Sequence, residues 1–104
     1  MPRQTVVTVR FERKVSLNFQ GWNFSTEFSE TVEPVPDESL IKARRRLRLR
    51  AMASVYSDIL GDMGRILKAV EGTNYEEQAK AVQREAESGV DDAVRQLKEL
   101  SDAG

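Results

Sequence analysis

Residues 41–50 read Ile-Lys-Ala-Arg-Arg-Arg-Leu-Arg-Leu-Arg, six cations in ten positions. Guanidinium groups bind phosphate through two parallel hydrogen bonds, and each phosphate they neutralise releases condensed counterions. Lys42, Arg44, Arg45, Arg46, Arg48 and Arg50 are therefore the candidate binding residues. Their chemistry suits a nucleic-acid backbone or an acidic protein surface. The net charge of −1 conceals how strongly charge is sorted along the chain. Residues 37–50 carry six bases against two acids, a net of +4, and residues 73–104 carry four bases against eight acids, a net of −4. This sorting says more about partners than the sum does.

Catalytic constellations are not evident. The chain has no Cys and no His, which removes thiolate chemistry, disulfides, the commonest general base and the commonest metal ligand. Asp91 and Asp92 are adjacent, and neighbouring helix positions point about 100° apart. Asp58 and Asp62 stand four apart and could share a cation, but further oxygen ligands are missing nearby in sequence. Gly61-Asp62-Met63-Gly64 lies inside an apolar helical pattern and follows no strand, so it does not read as a phosphate loop. A binding protein is expected, not an enzyme, with no cofactor and no metal.

The elements that must position the basic run can be read from periodicity. Residues 5–33 alternate with period two, the mark of a strand with one buried face. Val7, Val9, Phe11, Val15, Leu17 and Phe19 share one parity, and after Gln20-Gly21 the parity flips to Trp22, Phe24, Phe28 and Val32. A two-residue turn at Gln20-Gly21 gives that flip and predicts the pairs Phe19–Trp22, Leu17–Phe24, Val15–Thr26 and Val9–Val32, with Lys14 opposite Glu27. Arg13 and Glu30 break the apolar face. They either pair diagonally with each other or reach other partners. Arg10 and Lys14, on the polar face with Ser and Asn, extend the possible nucleic-acid footprint. Trp22 and Phe19 are expected at the hairpin tip, where an aromatic stacks on a base or anchors a protein.

Glu33-Pro34-Val35-Pro36 ends the second strand, and Asp37 suits a helix N-cap. A helix over 37–71 follows, its apolar stripe running through Val55, Ile59, Met63, Ile66 and Val70. Extended at constant phase, that stripe takes in Arg44, Arg45 and Arg48, with Lys42, Arg46 and Arg50 towards the opposite side and Leu47 and Leu49 between. Gly61 and Gly64 mark a kink, a helix end or, the preferred reading, close approach of a neighbouring backbone. Gly72 is placed for a C-cap and Thr73 with Glu76 for a capping box. The second helix, 73–102, carries Tyr75, Ala79, Val82, Ala86, Gly89 or Val90, Ala93, Leu97 and Leu100 in alternating steps of four and three, a coiled-coil seam of mostly small residues.

Together these predict one α+β domain over 1–104, a long antiparallel β-hairpin packed on two long antiparallel helices. In that arrangement the acids Asp91, Asp92, Glu99 and Asp102 return near the basic run and offer it an internal counter-charge. A two-stranded ribbon is not stable alone and its edges invite another chain, so a homo-oligomer is expected. No apolar run approaches a membrane span and the N-terminus shows no signal-peptide apolar region, which points to a soluble cytoplasmic protein.

Arg13, Lys14, Leu17, Asn18, Phe19, Phe24 and Glu27 carry a resemblance over roughly residues 9–40. The stretch resembles a hairpin found in small proteins of phages and mobile elements, of no established activity, in which an Arg-Lys-x-x-Leu-Asn-like strand leads through a short turn and an acidic linker into a helix. Where that turn usually has Gly-Asn followed by an aromatic, this chain has Asn18-Phe19-Gln20-Gly21-Trp22. The resemblance implies a phage or mobile-element setting. Small inert proteins of that setting bind DNA or block a host defence complex stoichiometrically.

Overall fold

The computed structural model describes residues 5–17, 20–32 and 38–102. Alternating side chains build two 13-residue strands, β1 (Thr5–Leu17) and β2 (Gln20–Val32), paired as an antiparallel hairpin. Two helices follow, α1 (Glu38–Val70) and α2 (Glu76–Asp102). The α+β architecture expected from the pattern is what forms. At about 1.5 Å per helical residue and 3.3 Å per strand residue, α1 and the hairpin are close in length. Helix α1 packs against both strands and against α2, whereas α2 reaches the sheet only along β1. The body is elongated, 62 × 25 × 16 Å, with a radius of gyration of 17.2 Å against the roughly 13 Å usual for a chain this long.

The strand pairing differs from the predicted register. Leu17 faces Gln20, Val15 faces Trp22, Arg13 faces Phe24, Val9 faces Phe28 and Lys14 faces Asn23. Gly21 is therefore a strand residue opposite Ser16, and not a turn residue. Asn18 and Phe19 fall between the strands and lie outside the described residues, as does the expected Asp37 cap. The shift has a simple cause. Period two fixes which face a residue takes, and any even displacement of one strand preserves the faces. Parity alone could not choose between the registers.

The core lies between the hairpin and the helices: Val15, Leu17 and Phe24 meet Val55, Ile59, Met63, Ile66 and Val70, with Ala79 and Ala86 behind. On α1 the buried positions include Ala43, Leu47, Ala51, Val55, Ile59 and Met63, each four apart and each at most 2% exposed. A spacing of four in a helix of 3.6 residues per turn turns the contact face by about 40° per step. The buried stripe winds around α1. On α2 the buried positions are Ala79, Ala86 and Ala93, seven apart, as the small-residue seam requires.

The glycines sort differently from expectation. Gly61 and Gly64 sit inside an unbroken helix with nothing within 4 Å of where a Cβ would stand, so neither close packing nor a helix end explains them. Close approach occurs at Gly89 instead, against the ring of Tyr56. Gly72 has φ 76°, the left-handed conformation of a C-cap. Thr73 Oγ1 accepts from the Tyr75 amide at 3.2 Å, and Glu76 Oε2 accepts from the Gly72 amide at 3.3 Å. This is a capping box displaced by one residue.

Candidate nucleic-acid interface

The winding stripe decides where the cations point. Because Ala43, Leu47 and Leu49 take the buried positions at the start of α1, Arg44, Arg45 and Arg48 are exposed. This corrects the constant-phase wheel, which put these three on the apolar stripe and left Leu47 and Leu49 between faces. Arg44 and Arg48 stand one turn apart, about 6 Å along the axis, with Arg45 beside them. Together with Ile41, which is 67% exposed, they line a shallow depression on the free face of α1.

Two of the remaining cations of the run are used within the fold. Arg46 is half-buried and pairs with Glu30 of β2. Arg50 lies over the ring of Phe28, 5.3 Å from its centroid, a cation–π contact. Lys42 is exposed and borders a groove with Arg46, Leu97, Leu100 and Ser101. The run is thus split into a patch of three arginines facing solvent and a pair clamping the hairpin. Charge composition gave no sign of this division. The four-residue spacing from Ala43 to Met63 is the signal that does.

Arg13 and Glu30 do not pair with each other. Glu30 goes to Arg46, and Arg13 donates to Glu85 of α2 at 2.9 Å. The Glu85 hydrogen bond, with its charge, raises the Arg13 pKa above its ordinary value against the opposing effect of burial. The two residues that break the apolar face are the ones that tie the hairpin to each helix.

Among the described residues, the acids of α2 make no ion pair with the arginine patch. Among the described residues, Asp92 pairs with Arg95 at 3.2 Å within its own helix, and neither Asp91 nor Glu99 makes an ion pair with residues 42–50. Gln96, Leu97 and Leu100 are what α2 presents beside the basic run. The side chain of Asp102 lies outside the described residues. Arg44, Arg45 and Arg48 have no ion pair among the described residues.

The other candidate residues are elsewhere. Arg10 and Lys14 lie on the exposed sheet face, turned away from α1, and both pair with Glu12, at 2.9 and 3.6 Å. They are not brought beside the α1 arginines. Trp22 is half-buried, packs against the core and lines a shallow groove with Lys14, Ser16 and Asn23. Phe19 lies outside the described residues. Among the described residues no group of three metal-ligating side chains converges. Asp62 turns to Arg65, at 3.5 Å, and does not form a cation site with Asp58. No helix among them is long and apolar enough to cross a membrane.

Comparison with protein-family models, with curated proteins and with solved structures found no match.

Proposed function

We propose that this is a non-catalytic accessory protein that binds nucleic acid through the free face of α1, with Arg44, Arg45 and Arg48 contacting phosphates and Lys42 at the margin. One observation carries the reading: three adjacent guanidinium groups face solvent without an ion pair among the described residues. Phosphate contacts position a protein without reading sequence, so binding is expected to be weakly sequence-selective and steeply salt-dependent. In the phage or mobile-element setting suggested by the hairpin's resemblance, such a protein coats or escorts DNA.

A second reading is favoured by Ile41, which sits exposed among the arginines. An apolar residue ringed by cations also fits an acidic amphipathic protein segment, which would make the protein a stoichiometric inhibitor or adaptor, for example of a host defence complex. Docking by such an inhibitor through the hairpin tip would have only part of Trp22 to use, because that ring is half-buried against the core. The hairpin edge remains open to it.

Titration of labelled single- and double-stranded oligonucleotides at two salt concentrations tests the first reading. Micromolar or tighter binding that weakens steeply with salt, and is lost in the triple variant Arg44→Ala, Arg45→Ala, Arg48→Ala, is expected. Absence of binding at low salt overturns it.

A further inference from the structure

We infer that the outer edge of β2 pairs antiparallel with the same edge of a second copy, joining two hairpins into one four-stranded sheet with its two-fold axis at Thr26. Among the described residues the sheet has two strands, and each of these 13-residue strands keeps one edge unpaired by them. Long open edges recruit another chain unless something guards them. The two edges differ in how they are guarded.

The β1 edge is defended. It carries Arg10, Glu12, Arg13 and Lys14 in close succession. Helix α2 lies on its side of the molecule, held there by the Arg13–Glu85 pair. The β2 edge is not defended. Residues 20–32 contain no Lys, Arg or Pro, and α2 makes no contact with this strand. Its two acids are Glu27 and Glu30, and Glu30 is already engaged by Arg46.

The sequence of β2 is also complementary to itself. Thr26 is the midpoint of Gln20–Val32, so pairing about Thr26 lets every residue of the strand find a partner. On the covered face Phe24 of one copy then stands opposite Phe28 of the other, twice. On the solvent face Glu27 stands opposite Ser25, and Asn23 opposite Ser29. Cross-strand aromatic pairs are among the favourable ones, and no like charges are opposed. Sliding by one step, so that the axis falls on Glu27, sets two carboxylates against each other and loses pairs at the ends. Phe28 and Trp22 are both only half-buried by the chain's own helices, which leaves aromatic surface for the second copy.

The helices allow this joining. Each α1 lies against both strands of its own hairpin. Hairpin centres in the joined sheet are two strand spacings apart, about 9.6 Å, within the usual 8–10 Å separation of packed helices. Helix α2 stays on the outer, β1 side of each copy. The surface chemistry selects a second copy of this chain, independently of what the α1 arginines bind.

The absence of native cysteine makes the register directly readable. Light scattering on the eluting protein without nucleic acid gives the mass, and single cysteines report the pairing. A dimer of twice 11.8 kDa is expected. Asn23→Cys and Ser29→Cys, both on the exposed face, are expected to form an interchain disulfide when the two variants are mixed and air-oxidised. Neither variant alone is expected to do so, because like positions would stand six residues apart, roughly 20 Å, beyond disulfide reach. A monomer mass overturns the proposal. So does a dimer in which the mixture crosslinks no better than either variant alone, since that places the contact elsewhere.

Discussion

The ring of Tyr56 occupies the space that a side chain on Gly89 would need: a Cβ built there stands 2.5 Å from Tyr56 Cδ2 and 2.9 Å from Cγ. The same ring packs on Phe11 of the hairpin, with centroids 5.7 Å apart. Tyr56 therefore bridges β1 and α2 from the middle helix, and Gly89 is what lets α2 come close enough.

Gly89→Ala should destabilise the protein. Alanine gains up to about 1 kcal/mol in helix propensity, but overpacking typically costs about 1–3 kcal/mol and here displaces a ring held on both sides. A net loss of about 1–2 kcal/mol is expected in urea denaturation. In a Tyr56→Ala background, itself destabilised by loss of the packed ring, Gly89→Ala should add little further loss, since the clash goes with the ring. An additive double variant would contradict this account.

Gly61→Ala and Gly64→Ala should do the reverse. Both positions are helical and open, so each substitution should stabilise by roughly 0.5–1 kcal/mol. Thermal melts followed by circular dichroism check this, with Gly72→Ala as the contrast. Gly72 has positive φ, and alanine there should lower stability by about 1 kcal/mol.

The arginines of the basic run should separate into two groups by phenotype. Arg44→Ala, Arg45→Ala and Arg48→Ala should each flatten the salt slope of nucleic-acid binding by about one unit while leaving stability within about 0.5 kcal/mol. Arg46→Ala and Arg50→Ala should instead act mainly on the fold, each costing up to about 1 kcal/mol, because a half-exposed ion pair and an exposed cation–π contact are worth no more than that. Paired binding isotherms and denaturation curves for the five variants measure the division.

Much of the architecture is legible in local chemistry. Period-two alternation locates both strands, Gly72 and the Thr73/Glu76 pair locate the break between the helices, and the four–three spacing of Ala79, Val82, Ala86 and Ala93 locates the seam. These signals depend on residues within a turn or two of one another. The register of the hairpin is not legible in the same way, because Leu17–Gln20 and Leu17–Phe24 satisfy the same parity. The partition of the arginines is also hidden from a fixed wheel. Arg48 shares the nominal phase of Ile66 and Arg44 lies about 40° from it, yet both face solvent while Ile66 is buried, since the contact face of α1 turns between the two ends. That turning follows from packing on the hairpin and α2 together, which no single-helix projection contains. Pairs such as Arg13–Glu85 are 72 positions apart in sequence and had no local signature.

The winding stripe of α1 also makes the helix sensitive to length. One residue added between Ala51 and Val55 would rotate everything before it by about 100° relative to everything after. With the distal half held by Ile59, Met63 and Ile66, the proximal half would have to present different side chains to the hairpin, and Ala43 and Leu47 would lose their places to neighbours that carry charge. Composition would be almost unchanged, yet the division between cations that hold the fold and cations that face outward would be lost. For this helix an insertion or deletion is a more severe change than most substitutions, and related chains that keep the patch should keep the distance between Arg48 and Ile59.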